Sequence, residues 1–98
     1  MTKLVFKIYI AGLNTRNKES VASFRKACAT ALPAGSYQID VVDIVRYPGE
    51  AEANKILATP TIAREKPAPQ RRTIGDFIES SRATMALNFL IEDVTNQT

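Results

Sequence analysis

With 98 residues the chain has room for one hydrophobic core and not for two, and its 45% hydrophobic and 23% charged content excludes a disordered or fibrous protein. Thirteen basic against ten acidic residues leave a net charge of +3, too little for the footprint of a nucleic-acid-binding domain. Histidine is absent and Cys28 is the only cysteine, which removes Ser/His and Cys/His arrangements, a CxxC redox pair and a cysteine-built metal site.

Leu4, Phe6, Ile8 and Ile10 alternate with Val5, Lys7, Tyr9 and Ala11, the pattern of a strand with one face in the core. Gly12 ends it, and Asn17 is the expected N-cap of a helix running to about Leu32. In that helix Val21, Phe24, Cys28 and Ala31, widened by Ala27 and Leu32, form a buried stripe. Cys28 therefore reads as a small core residue. After the turn at Pro33 to Gly35, a second strand is expected from Tyr37 to Ile44. Its VVDIV end is apolar on both sides, which predicts a central strand parallel to the first.

Tyr47-Pro48-Gly49 predicts a turn, and Glu50 to Leu57 a short helix. Pro60 has no amide to donate, so the strand that follows in TPTIA must start there or lie on an edge. REKPAPQRR, residues 64 to 72, reads as an exposed connector, with a short strand at Thr73 to Gly75. Arg46, Lys55, Arg64, Lys66, Arg71 and Arg72 form a basic cluster in this middle stretch. Asp76 and Glu79 have capping-box spacing ahead of a last helix whose apolar positions occupy more than half its circumference. A face that wide is either deeply buried or shared with a partner. Thr95 to Thr98 form a polar tail that is expected to fray.

The element order, ending in Thr-Pro-Thr, hairpin and helix, resembles the thioredoxin fold, βαβαββα, in which the proline at the position of Pro60 is cis. The redox pair would fall within residues 12 to 20, and GLNTRNKES has no cysteine. KIYIAG at Lys7 to Gly12, KILATPT at Lys55 to Thr61 and RRTIGD at Arg71 to Asp76 narrow the resemblance to the KaiB family of circadian clock proteins. It covers about residues 3 to 94, the expected ordered core of a single domain spanning 1–98.

The resemblance implies a non-enzymatic, cytoplasmic protein without cofactor that binds a KaiC-type ATPase and modulates its phosphorylation or signalling output, in circadian timing or stress adaptation. It also implies self-association as a dimer or tetramer, with no nucleic-acid or membrane partner. Family members are known in two folds, so a βαββααβ ground state in a tetramer is the alternative to the thioredoxin-like form. Lys55, Arg71 and Arg72 match basic residues that serve partner binding, and Pro60, Gly75 and Asp76 fall at the boundary expected to act as a hinge. Asp40 stands where cyanobacterial members tend to carry lysine, and Ala86 and Asn88 stand where many carry Gly and Asp. Together with a longer LNTRNKE loop and no acidic C-terminal extension, these departures point away from the cyanobacterial oscillator type and its KaiA partner. Ala86 in place of glycine also favours a continuous last helix. A thioredoxin-like adaptor or sensory binding domain for a different protein partner is the alternative function.

Overall fold

The computed structural model describes residues 3–95. The end of the polar tail, residues 96–98, lies outside them. The elements are β1 (Leu4–Ile10), α1 (Thr15–Ala31), β2 (Tyr37–Asp43), α2 (Pro48–Ala53), β3 (Thr61–Lys66), β4 (Arg71–Ile74) and α3 (Ser80–Thr95). They form the βαβαββα order, with a four-stranded sheet in the spatial order β2-β1-β3-β4. β1 and β2 are parallel across the α1 crossover, whereas β3 is antiparallel to both β1 and β4.

Alternation along the strands creates two sheet faces with different fates. Phe6, Ile8 and Ile10 of β1 and Ile62 of β3 join Phe24 and Cys28 of α1 and Ala83, Leu87 and Leu90 of α3 in one core. Phe6 and Phe24 meet edge to face, their ring centroids 5.3 Å apart. α2 belongs to the opposite face, where its C-terminal carbonyls meet Arg72, while the neighbouring Arg71 reaches α3.

Five sequence-based expectations are corrected. α1 begins earlier: Asn14, in extended conformation, is the N-cap, and its side chain accepts from the amide of Asn17 at 2.8 Å. Asn17 instead donates its side-chain amide to the carbonyls of Ala11 and Gly12, which closes the β1–α1 turn where Gly12 has φ +92°. β2 is an edge strand: Ile39 and Val41 pack on the core and its other face is half-buried. α2 starts at Pro48, since the first helical position needs no amide donor, and stops at Ala53.

The supposed connector 64–72 is largely sheet, with only 67–70 between β3 and β4. Asp76 does not cap α3, which starts four residues later; its Oδ1 accepts from the amide of Ile78 and its other oxygen pairs with Arg16. The strand-start position of Pro60 holds, immediately before β3. α3 passes through Ala86 without a break, as the alanine predicts.

Candidate binding surface

The six residues singled out by sequence divide among three places. Pro60, Gly75 and Asp76 come together at one end of the sheet. The Thr59–Pro60 peptide is cis, the Pro60 carbonyl accepts from the Gly75 amide at 3.2 Å, and Asp76 pairs with Arg16 in the first turn of α1. Ser23 of α1 donates to the Ile78 carbonyl, so the segment between β4 and α3 is tied to α1 at a second point.

Lys55 and Arg72 come together at the C-terminal end of α2. Asn54 is the C-cap; the Lys55 amide donates to Glu52 and the Ile56 amide to Ala51, the paired bonds of a Schellman turn. That turn needs a left-handed residue after the cap, and Lys55 occupies it with φ 54°. A side chain disfavours this conformation, which glycine would adopt freely. Lys55→Gly is therefore expected to stabilise the chain by up to about 1 kcal/mol, read as a higher urea midpoint, while deleting the exposed cation. Arg72 crosses from β4 and donates to the carbonyls of both Asn54 and Lys55. Two residues beyond Lys55, Leu57 is 95% exposed, and Tyr47 at the start of α2 is also exposed with Arg46 over its ring at 5.6 Å. A cation and a bare apolar side chain, Lys55 and Leu57, thus lie two residues apart beyond the C-terminal end of α2, with exposed Tyr47 at its other end.

Arg71 is not part of that group. Adjacent residues of a strand face opposite ways, and Arg71 lies 4.3 Å from the centroid of Phe89, with Glu92 at 3.1 Å and Asp93 at 3.4 Å. The sequence cluster is therefore split, with Arg46 and Lys66 exposed and the other four going separate ways. Arg64 is fully buried, Arg71 is bound to α3, Arg72 is bound to α2, and Lys55 alone of these four is exposed. Beside Arg71, an open groove of about 520 Å³ is lined by Ile74, Phe77, Arg82, Met85 and Phe89. Ile74, Met85 and Phe89 are exposed, so the wide apolar circumference of α3 is buried on one side only.

Sequence reasoning missed Arg64 and Tyr9. Arg64 donates to Leu90 O at 2.9 Å, to Pro69 O and to both carboxylate oxygens of Asp93. The alternation Thr61-Ile62-Ala63-Arg64 puts it on the same inward face as Ile62, a signal hidden by the prolines and charges that follow. Tyr9 is buried and donates to Glu65 at 3.4 Å; burial first, then the Glu65 charge, pushes its phenol up to about 12 and keeps it a neutral donor.

Cys28 is buried in the core, and burial pushes its thiol up to about 12. It should resist a thiol reagent such as DTNB at pH 8 until the protein is unfolded, when one equivalent reacts; rapid labelling of the native chain would contradict this placement.

The sheet order, the cis-proline corner and the two helices on one face define a thioredoxin-like domain, one that carries no redox pair. Solved structures show the same fold: mitochondrial thioredoxin 3 of Saccharomyces cerevisiae superposes with a TM-score of 0.68 at 17% identity, covering 96% of this chain and 81% of that one. The N-terminal domain of Synechococcus elongatus SasA does so with a TM-score of 0.68 at 14% identity, covering 100% and 91%. The KaiB domain model matches residues 7–89, and the chain belongs to the KaiB family. The circadian clock oscillator protein KaiB of Nostoc sp. is 37% identical over 93 residues, covering 95% of this chain and 85% of that protein. Circadian clock protein KaiB3 of Synechocystis sp. is 29% identical over 92 residues, covering 94% and 89%.

Proposed function

We propose that this chain is a non-enzymatic, cytoplasmic binding protein that docks on a KaiC-type ATPase and modulates its phosphorylation or signalling output, in circadian timing or stress adaptation. Family membership over nearly the whole chain carries this reading. The two ends of α2 support it, Lys55 and Leu57 after its C-terminus and Tyr47 at its start, because an exposed apolar side chain near a cation fits an apolar surface with acidic neighbours. Lys55 is the direct contact in this reading. Pro60, Gly75 and Asp76 serve as the hinge at which the second half of the chain would rearrange.

Self-association as a dimer or tetramer belongs to the same proposal, and the exposed Ile74, Met85 and Phe89 support it. Gel filtration of this chain with the KaiC homologue encoded in the same genome, after hours of incubation with ATP or with ADP, should give a shared early-eluting peak. Separate elution under both nucleotides would overturn the proposal.

A further inference from the structure

The charged groups on the α2 side of the sheet form one continuous hydrogen-bonded chain. Tyr9, in the centre of the sheet on β1, donates to Oε1 of Glu65 on β3. The other oxygen of Glu65 accepts from the side-chain amide of Gln70, in the loop before β4. The Gln70 side-chain oxygen accepts from Nε of Arg72 at 3.1 Å, and the two terminal nitrogens of Arg72 donate to the carbonyls of Asn54 and Lys55. Every N–H-bearing nitrogen of that guanidinium is thereby engaged.

The acceptors at the far end have a particular character. The carbonyls of the C-cap Asn54 and of Lys55 just past it have no partner within α2 and lie at the negative end of its dipole, so a guanidinium fork holds both at once. The residue so held is Lys55, in the left-handed conformation that its side chain disfavours. A strained, exposed residue at the end of a six-residue helix keeps its geometry only when its surroundings fix it.

We propose that Arg72 is a positioning residue: it does not meet the partner but clamps the α2 C-terminus so that Lys55 and Leu57 are presented in one conformation, with Gln70, Glu65 and Tyr9 fixing the direction of the clamp. The inference rests on the reading of Lys55 as a contact residue, and it reassigns Arg72, which sequence placed beside Lys55 as a second contact.

The test uses the full chain labelled with ¹⁵N and amide hydrogen exchange, with and without the KaiC homologue. Arg72→Ala should speed exchange at Lys55 and Ile56 about tenfold or more, leaving β1 amides unchanged. Arg72→Lys keeps the charge but lacks the fork, and should show most of that increase. Gln70→Ala should show a smaller increase at the same two amides. In binding, Arg72→Ala should weaken the complex, yet Arg72→Ala combined with Lys55→Ala should bind no more weakly than Lys55→Ala alone.

Unchanged exchange at Lys55 and Ile56 in Arg72→Ala overturns the proposal, as do additive losses in the double variant, which would make Arg72 an independent contact. Full rescue by Arg72→Lys overturns the fork, and an inert Gln70→Ala overturns the relay behind it. The exchange arm needs no partner. If the wild-type chain fails to bind the ATPase, the functional reading fails while faster exchange at this corner still upholds the clamp.

Discussion

Arg64→Ala is expected to destabilise the chain by about 3 kcal/mol, measured by urea unfolding, making it the most damaging single truncation of a charged residue in the domain. The arginine is fully buried, and from β3 its guanidinium joins two other segments, the β3–β4 loop through the Pro69 carbonyl and α3 through the Leu90 carbonyl and Asp93 one turn further on. Alanine removes the donor that ties the Pro69 and Leu90 carbonyls and Asp93 together and leaves a cavity where the buried side chain lay, and each loss is costly in a close-packed interior. Arg64→Met refills most of the volume without restoring a donor, so it should fall between wild type and alanine. Nε of Arg64 has no partner among the described residues, so the arginine is not an ideally satisfied core group. Its role is connection rather than net stabilisation.

The same contact gives the stability a pH signature. The Arg64 hydrogen bond, with Arg71 adding to it, holds the Asp93 carboxyl down to about 2 against an ordinary value of 3.8. A folded-state value below the unfolded one means that the contribution is complete above the unfolded value and is lost as pH falls through 3.8 towards 2. Unfolding midpoints measured from pH 5 to pH 2 should therefore decline, and Asp93→Asn should flatten that part of the curve.

Leu57→Ala is expected to weaken the complex with the KaiC-type ATPase about tenfold while leaving the thermal midpoint of the free chain unchanged. A leucine 95% exposed contributes little to its own fold, so an effect confined to binding separates interface from core. Lys55→Glu should lower the association rate more at low salt than at high salt, since an exposed cation mainly steers encounter. Affinity retained by both variants, in a calorimetric titration, would remove the α2 corner from the interface. Lys55→Gly adds a diagnostic pairing: higher stability with weaker binding is the expected pattern where a strained residue is kept for function.

Much of the frame was legible because periodicity and turn chemistry agree there. The alternation in Leu4–Ile10 and the stripe through Phe24 and Cys28 place β1 and α1 correctly, and Pro60 marks the start of β3. The errors arise where a residue type has two uses. Two asparagines flank the start of α1, and the cap is the one whose backbone is extended, Asn14. VVDIV is apolar on both sides, yet β2 pairs with β1 alone and lies on the sheet edge, because apolar residues on both faces report cover above and below a strand and not a neighbour on each side.

The basic stretch was the least legible part. Composition groups Arg64, Arg71 and Arg72, but strand alternation sends Arg71 and Arg72 to opposite faces and Arg64 inward, each to partners distant in sequence. Of the three residues assigned to partner binding, Lys55 is exposed while Arg71 and Arg72 are partly buried; Arg46 and Lys66 are the other exposed cations of the stretch. The thioredoxin-like frame thus carries exposed Lys55 and Leu57 after α2, at the far side of the sheet from α1 and α3.

Titration of the ¹⁵N-labelled chain with the unlabelled ATPase, followed by amide resonances, tests that account most directly. Intensity losses and shifts at low partner ratios should concentrate at residues 46 to 57 and at Arg72, whose clamp feels the contact. Changes concentrated instead on Met85, Phe89 and Arg71, or no changes at any ratio, would contradict it.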